Sequence, residues 1–193
     1  MRHSAHPASV PLAHAQHNWS GHGALCHGAL GLAGFVTDSQ PLRTVLVVDD
    51  HAPMRTLCRL NLEAAGFRVV EAADGDEALE SVASDPPNLI LLDIMMPRVS
   101  GWEVVAALLA DRSTDQIPII FITALSQFSD RIRAFELGAH GYLLKPFDAA
   151  GLPATINEVL DQIDRGERDA HLAETLATLR AEQAAAYETP RPA

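Results

Sequence analysis

Leu89-Ile90-Leu91-Leu92-Asp93-Ile94-Met95-Met96-Pro97 is the stretch that decides the fold. Four apolar residues in succession, rather than in alternation, describe a strand covered on both faces, as the strands of a parallel sheet are. Comparable runs flank it: Val45-Leu46-Val47-Val48, Arg68-Val69-Val70, Ile117 to Ile122 and Tyr142-Leu143-Leu144. Between them, Met54/Leu57/Leu60, Trp102/Val105/Leu108/Leu109, Phe128/Ile132/Phe135 and Leu152/Ile156/Val159/Ile163 recur at helical spacing, with a shorter helix expected from Asp76 to Ala83. Each of these stripes would cover the sheet. Ser100-Gly101-Trp102-Glu103 has capping-box spacing, and Gly66, Gly138 and Gly166 suit helix ends. Five strand-helix units predict an α/β domain built on a five-stranded parallel sheet with helices on both faces.

In such sheets ligands bind beyond the carboxyl ends of the strands. Here those ends carry Asp49-Asp50, Asp93, Thr123 and Lys145. Singly, each has a plain structural explanation: Asp49-Asp50 or Thr123 could cap the following helix, and Asp93 could be a turn residue before Pro97. Independent capping does not explain why all four strand ends are polar, nor why they include Lys145. That residue is the single lysine among 14 basic residues, so Arg supplies every generic positive charge and a compact ammonium is reserved for this place. Three neighbouring carboxylates repel unless a cation offsets them, and a hard, oxygen-ligated ion such as Mg²⁺ fits. One carboxylate could then attack phosphorus while the ion, Lys145 and the Thr123 hydroxyl stabilise the transferring phosphoryl oxygens. The pattern reads as an aspartyl-phosphate site.

The remainder of the 193-residue chain sets the context. Its formal charge of −11 argues against coating nucleic acid non-specifically, and residues 44–164 hold 19 acidic against 8 basic side chains. Residues 1–42, rich in His, Ala and Gly, lack apolar periodicity and are expected to be a disordered extension. Two other readings of that segment stay open: a metal held by clustered histidines such as His14 and His17, or a translation start later in the chain. Cys26 and Cys58 show no disulfide framework, and Gly23 to Val36 is too short to span a bilayer and is broken by His27. A cytoplasmic protein with no membrane association is expected. Residues 165–193 form a helical tail with a disordered end, Leu172, Leu176 and Leu179 lying on one stripe. The helix either trails freely or serves dimerisation or docking.

Val47-Val48-Asp49-Asp50, Leu91-Leu92-Asp93-Ile94-Met95-Met96-Pro97 with Gly101, Phe121-Ile122-Thr123-Ala124 and Gly141-Tyr142-Leu143-Leu144-Lys145-Pro146-Phe147 together resemble the receiver domain of two-component response regulators. The resemblance covers residues 43–164. It implies a flavodoxin-like sheet of order 2-1-3-4-5 and makes Asp93 the acceptor of a phosphoryl group from a sensor histidine kinase or histidine-phosphotransfer protein. Asp49, Asp50, Asp93 and the Met95 backbone carbonyl would hold Mg²⁺, Thr123 and Lys145 would bind the phosphoryl oxygens, and Thr123 and Tyr142 would form the switch. It also implies a cis Lys145-Pro146 peptide.

Departures from the family pattern qualify this. Gly151 and Pro153 stand where the last helix should begin, so that helix is expected to start late or kink. The Glu-Leu-x-Ala-Arg run of regulators that dimerise before binding DNA is missing, and 29 residues follow residue 164. On these grounds no direct DNA binding is expected, and the chain reads as a stand-alone switch acting on a separate effector protein. A homodimer through the tail helix or the fourth-helix, fifth-strand and fifth-helix face is possible. The alternatives are an adaptor or fragment whose output domain lies on another chain, and a phosphoaspartate hydrolase. The last is disfavoured because Met95 stands where such enzymes place a second Asp, so no enzyme activity beyond self-phosphorylation and self-dephosphorylation is expected.

Overall fold

The apolar runs become strands and the amphipathic stripes become helices. In the computed structural model, residues 42–188 are described. The order is β1 (Thr44–Val48), α1 (Ala52–Ala64), β2 (Arg68–Ala72), α2 (Gly75–Ser84), β3 (Leu89–Leu92), α3 (Gly101–Ala110), β4 (Ile119–Thr123), α4 (Phe128–Glu136), β5 (Gly141–Leu144), α5 (Leu152–Asp164) and α6 (Arg168–Glu188). All five strands are parallel, in the order β2-β1-β3-β4-β5. The registers Val48 with Leu92, Leu92 with Phe121 and Thr123 with Leu144 bring the carboxyl ends to one edge. The expected doubly covered sheet is therefore present.

Because successive strand residues point to opposite faces, each unbroken apolar run feeds two cores. Leu46, Val48, Ile90, Leu92 and Phe121 pack with Ala78 and Val82 of α2, Val104, Val105 and Leu108 of α3, and Ala134 of α4. Val45, Val47, Leu89, Leu91, Ile120 and Ile122 pack with Cys58 and Leu62 of α1 and Leu152, Ile156, Val159 and Leu160 of α5. Burying each Val, Leu, Ile or Phe among them contributes about 1.5–3 kcal/mol, which holds the strand ends in fixed register.

Several elements differ from the sequence expectation. β4 starts at Ile119, not Ile117, because the Ile117 N–H closes a turn onto the Thr114 carbonyl (3.0 Å) and Pro118 has no N–H to donate. In α1 the inward face is Met54, Cys58 and Leu62, leaving Leu57 and Leu60 44% and 55% exposed. Steps of three residues fall about 60° short of a full turn each time, so the 54/57/60 stripe drifts off the sheet while 54/58/62 stays on it. Leu109 on α3 is likewise exposed. α2 begins one residue early, since the Asp74 carboxylate accepts the Glu77 N–H (2.9 Å) as its N-cap. The late start expected for the last sheet-covering helix is present, with α5 beginning at Leu152, Gly151 as N-cap and Pro153 in the first turn. Lys145-Pro146 is cis.

After Gly166, at φ +71°, the chain turns back and α6 packs on α4. Ile132 and Phe135 of α4 meet Leu179, with Leu172, Leu176 and Tyr142 alongside. Of the two roles left open for the tail helix, docking is the one seen, onto its own chain. Helix α4, part of the face offered above to a homodimer, is thereby covered. Residues 1–41 of the extension expected to be disordered, with its histidine cluster, and the end of the tail fall outside the described residues. Among the described residues no helix is long and apolar enough to cross a membrane.

Candidate functional site

The site is an extension of the sheet by one residue at several strands. Asp93 donates its N–H to the Val48 carbonyl (2.9 Å), Asp49 to the Ala72 carbonyl (3.3 Å) and Lys145 to the Thr123 carbonyl (2.9 Å). Each side chain therefore leaves a backbone already fixed by the ladder, where the strands diverge into loops. Asp49, Asp93 and Thr123 are buried, whereas Asp50 is exposed at the mouth.

Lys145 closes the centre. Its Nζ donates to Asp49 Oδ2 at 2.7 Å and to Asp93 Oδ2 at 2.5 Å. Burial alone would lower the lysine's proton affinity, but the hydrogen bonds and charges of the two carboxylates reverse that and hold its pKa above the usual lysine value. The ammonium is thus fixed as a cation. The remaining carboxylate oxygens are aimed by the backbone, Asp49 Oδ1 accepting from His51 N (2.9 Å) and Asp93 Oδ1 from Met95 N (3.0 Å).

These contacts remove the plain capping explanations. The N-cap of α1 is His51, with no side-chain capping bond, so neither Asp49 nor Asp50 caps it. The N-cap of α4 is Gln127, four residues beyond Thr123. Thr123 Oγ1 instead accepts the Leu125 N–H at 3.3 Å, and the Leu125 carbonyl accepts the Tyr142 O–H at 2.9 Å. Burial, with the Asp130 charge adding to it, pushes the Tyr142 phenol up to about 12, so it stays a donor. Thr123 and Tyr142 are linked through one loop residue.

Asp49, Asp50 and Asp93 each offer an oxygen, and the three lie within 4.8 Å of one another. Octahedral Mg²⁺ with ligands near 2.1 Å requires separations of about 3 Å between adjacent oxygens and about 4.2 Å between opposite ones. The all-oxygen donor set and its spacing fit that ion. Formally three carboxylates face one ammonium, an imbalance that a divalent cation offsets. Met95 lies in the loop after Asp93 and is 56% exposed.

Sequence reasoning missed two supporting residues. Arg55, one turn into α1, donates from its guanidinium to the Asp49 carbonyl (2.6 Å), tying the helix to the acidic pair. Arg98 sits at φ +67° in the β3–α3 loop and pairs with Asp74, joining that loop to the start of α2. The positive φ had no Gly or Asn to advertise it. Gly101 was noted only as part of a motif; a Cβ there would lie 2.4 Å from the Asp93 carbonyl oxygen, so α3 begins directly against the Asp93 backbone.

Residues 45–157 match the response regulator receiver domain. The chain belongs to this family. The receiver is 42% identical over 128 residues to a probable transcriptional regulator ycf27 of Porphyridium aerugineum, covering 66% of this chain and 52% of that protein. It is 39% identical over 121 residues to the DNA-binding dual master transcriptional regulator RpaA of Synechocystis, covering 63% and 50%. Among solved structures it resembles the chemotaxis response regulator CheY4 of Vibrio cholerae, with TM-score 0.58, 32% identity and coverage of 61% of this chain and 98% of that one. A CheY-like receiver domain protein from Methanospirillum hungatei gives TM-score 0.60 at 27% identity, covering 65% and 98%.

The receiver chain spans about half the length of the curated relatives it matches. This corrects the expectation of no direct DNA binding. That expectation leaned on the length of chain after residue 164 and on a missing dimerisation run, yet relatives sharing the receiver across half their length are named transcriptional regulators, one of them DNA-binding. The number of residues after the receiver carries no information on output.

Proposed function

We propose that this receiver is a phosphorylation switch in which Asp93 accepts the phosphoryl group of a phosphohistidine on a sensor kinase or phosphotransfer protein. The Lys145 ammonium bridging Asp49 and Asp93 is the observation that carries the reading. An Asp93 carboxylate oxygen attacks phosphorus, the P–N bond to the donor imidazole breaks, and that nitrogen leaves with its electron pair and takes up a proton. Asp93 is the acceptor rather than Asp49 because β3 lies between β1 and β4, so its carboxylate faces the acidic pair on one side and Thr123 on the other. Asp49, Asp50, Asp93 and the Met95 carbonyl would hold Mg²⁺, which supplies charge neutralisation to the phosphoryl oxygens. Lys145 then turns one donor to the phosphoryl group, and the Thr123 hydroxyl takes a second oxygen, giving up Leu125. The apolar Met95 beside Asp93 offers no acid or base to hasten hydrolysis, which favours a signalling role over a hydrolase.

The output we assign is transcriptional control, the role named for the relatives, set in the cytoplasm where kinases hold their phosphohistidines. The test is intact-mass measurement of the full chain after incubation with Mg²⁺ and phosphoramidate or acetyl phosphate. Wild type gains one phosphoryl group and Asp93→Asn gains none. A stable phosphoryl group on the Asn variant, or none on wild type with Mg²⁺ present, overturns the reading.

A further inference from the structure

Helix α6 has 21 residues, about 31 Å of chain, yet it is anchored through little apolar surface. Leu179 is buried, while Leu172 and Leu176 are half-buried, against Ile132 and Phe135 of α4. Around this seam charges are exchanged reciprocally: Arg180 of α6 pairs with Glu136 of α4 (2.7 Å), and Arg131 of α4 faces Glu182 of α6 (3.9 Å). Arg180, Glu136 and Glu182 are exposed and Arg131 is half-buried, and pairs so open to solvent contribute little. The contact is specific in register and weak in strength.

Tyr142 is the residue shared between this seam and the main core. It packs against both the α2–α4 side of the sheet and the Ile132/Phe135/Leu179 cluster. Its hydroxyl is held by the Leu125 carbonyl, and the Leu125 amide is held by the Thr123 hydroxyl. From the rim of the sheet to α6 there are therefore two hydrogen bonds and one aromatic ring. A Thr123 hydroxyl drawn towards a phosphoryl group on Asp93 leaves the Leu125 amide, frees the loop that fixes Tyr142, and removes the ring from the α6 seam.

We propose that α6 is a phosphorylation-released cover on the α4–β5 face: docked while Asp93 is free, detached when Asp93 carries phosphate. This rests on the Asp93 reading above and adds an intramolecular contact that the switch controls. Docking and phosphorylation are then thermodynamically linked, so each weakens the other by the same factor. Detachment is readable because helical stability in proteins comes mostly from packing of an apolar face, so α6 frays once its stripe loses its partner.

The experiment is hydrogen-deuterium exchange of the full chain with and without Mg²⁺ and beryllofluoride, which stands in for the phosphoryl group, with phosphorylation by phosphoramidate followed by mass in parallel. Exchange across residues 168–188 is expected to quicken by about tenfold on activation, and not in Asp93→Asn. Reciprocally, Leu179→Asp should lower the beryllofluoride concentration needed for half-saturation by a similar factor. Arg180→Glu, an exposed change that does not threaten folding, should act in the same direction more weakly, and adding Glu136→Arg should reverse it. A chain that takes phosphate on Asp93 but keeps α6 exchange unchanged overturns the cover and leaves the phosphoacceptor assignment standing. A chain that takes no phosphate overturns both.

Discussion

At the scale of single residues, the charge arrangement of the rim makes two predictions. Lys145 offsets two buried carboxylates, so Lys145→Met leaves Asp49 and Asp93 facing each other without a cation. Breaking a buried pair by removing one partner costs about 3 kcal/mol, and urea unfolding in EDTA should show a loss of that order, partly restored by millimolar Mg²⁺. Equal stability with and without Mg²⁺ would mean that the carboxylates do not share a cation site. Asp50 is exposed and caps nothing, so Asp50→Asn should weaken Mg²⁺ binding at least about tenfold while thermal stability stays level or rises as repulsion is relieved. A variant that loses stability and binds Mg²⁺ as wild type does would return Asp50 to a structural role. The site was legible in sequence at this scale because Asp49, Asp93, Thr123 and Lys145 each follow or end an apolar run, and a parallel sheet brings such ends together whatever the loops do. Arg55 and Arg98 were not legible, since one uses a generic surface residue type and the other a backbone conformation that its type does not announce.

At the scale of elements, the approach of α3 to Asp93 sets a sign that helix propensity alone gets wrong. Gly101 begins α3, and replacing a helical Gly by Ala ordinarily stabilises by about 1 kcal/mol. Here the added Cβ meets the Asp93 carbonyl oxygen at 2.4 Å and the Ile94 Cα at 2.8 Å, both backbone atoms that cannot rotate away. The capping box, in which Ser100 and Glu103 satisfy each other's backbone, opposes any slide of the helix. Gly101→Ala should therefore lose about 1–3 kcal/mol in urea unfolding and slow phosphorylation of Asp93 through the shifted backbone. Unchanged stability with unchanged rate would show that α3 moves freely against the site. Helix faces were harder to read than strand ends for a related reason. The Leu57 and Leu60 of α1 are as apolar as the residues beneath them, and only packing against β1, β2 and α5 selects Cys58 and Leu62. For α6 the stripe was visible, but its partners Ile132 and Phe135 lie on an element that has its own stripe to fill, so the sequence offered no pairing.

At the scale of the whole molecule, stability against pH reports a group that none of these functions uses. His140 lies where the turn before β5 meets α5 and α6, beside Gln162, Ile163, Arg168, His171 and Leu172, in a cavity of about 10 Å³. Its Nδ1 faces the Ile119 N–H at 3.4 Å, and its Nε2 is buried without a hydrogen-bond partner. Burial, with the charges of Arg168 and His171 adding to it, pushes the imidazole from 6.5 down to about 4. Between those values the unfolded chain binds a proton that the folded chain refuses, so stability falls as pH falls from about 6.5, and the loss from this group is complete once pH passes about 4. Between pH 7 and pH 5 the loss should be about 1 to 2 kcal/mol, allowing for partial exposure. The carboxylates of Asp74, Glu103 and Asp111, held below their ordinary values chiefly by backbone N–H donors, weaken the fold only at more acid pH, so this window belongs to the imidazole. His140→Asn keeps an acceptor for Ile119 and has no charge to gain. Urea unfolding at pH 7, 6 and 5 should show the wild-type advantage over His140→Asn shrinking by that amount. A pH-independent difference between the two proteins would show that the folded chain accepts the proton at His140 as readily as the unfolded one.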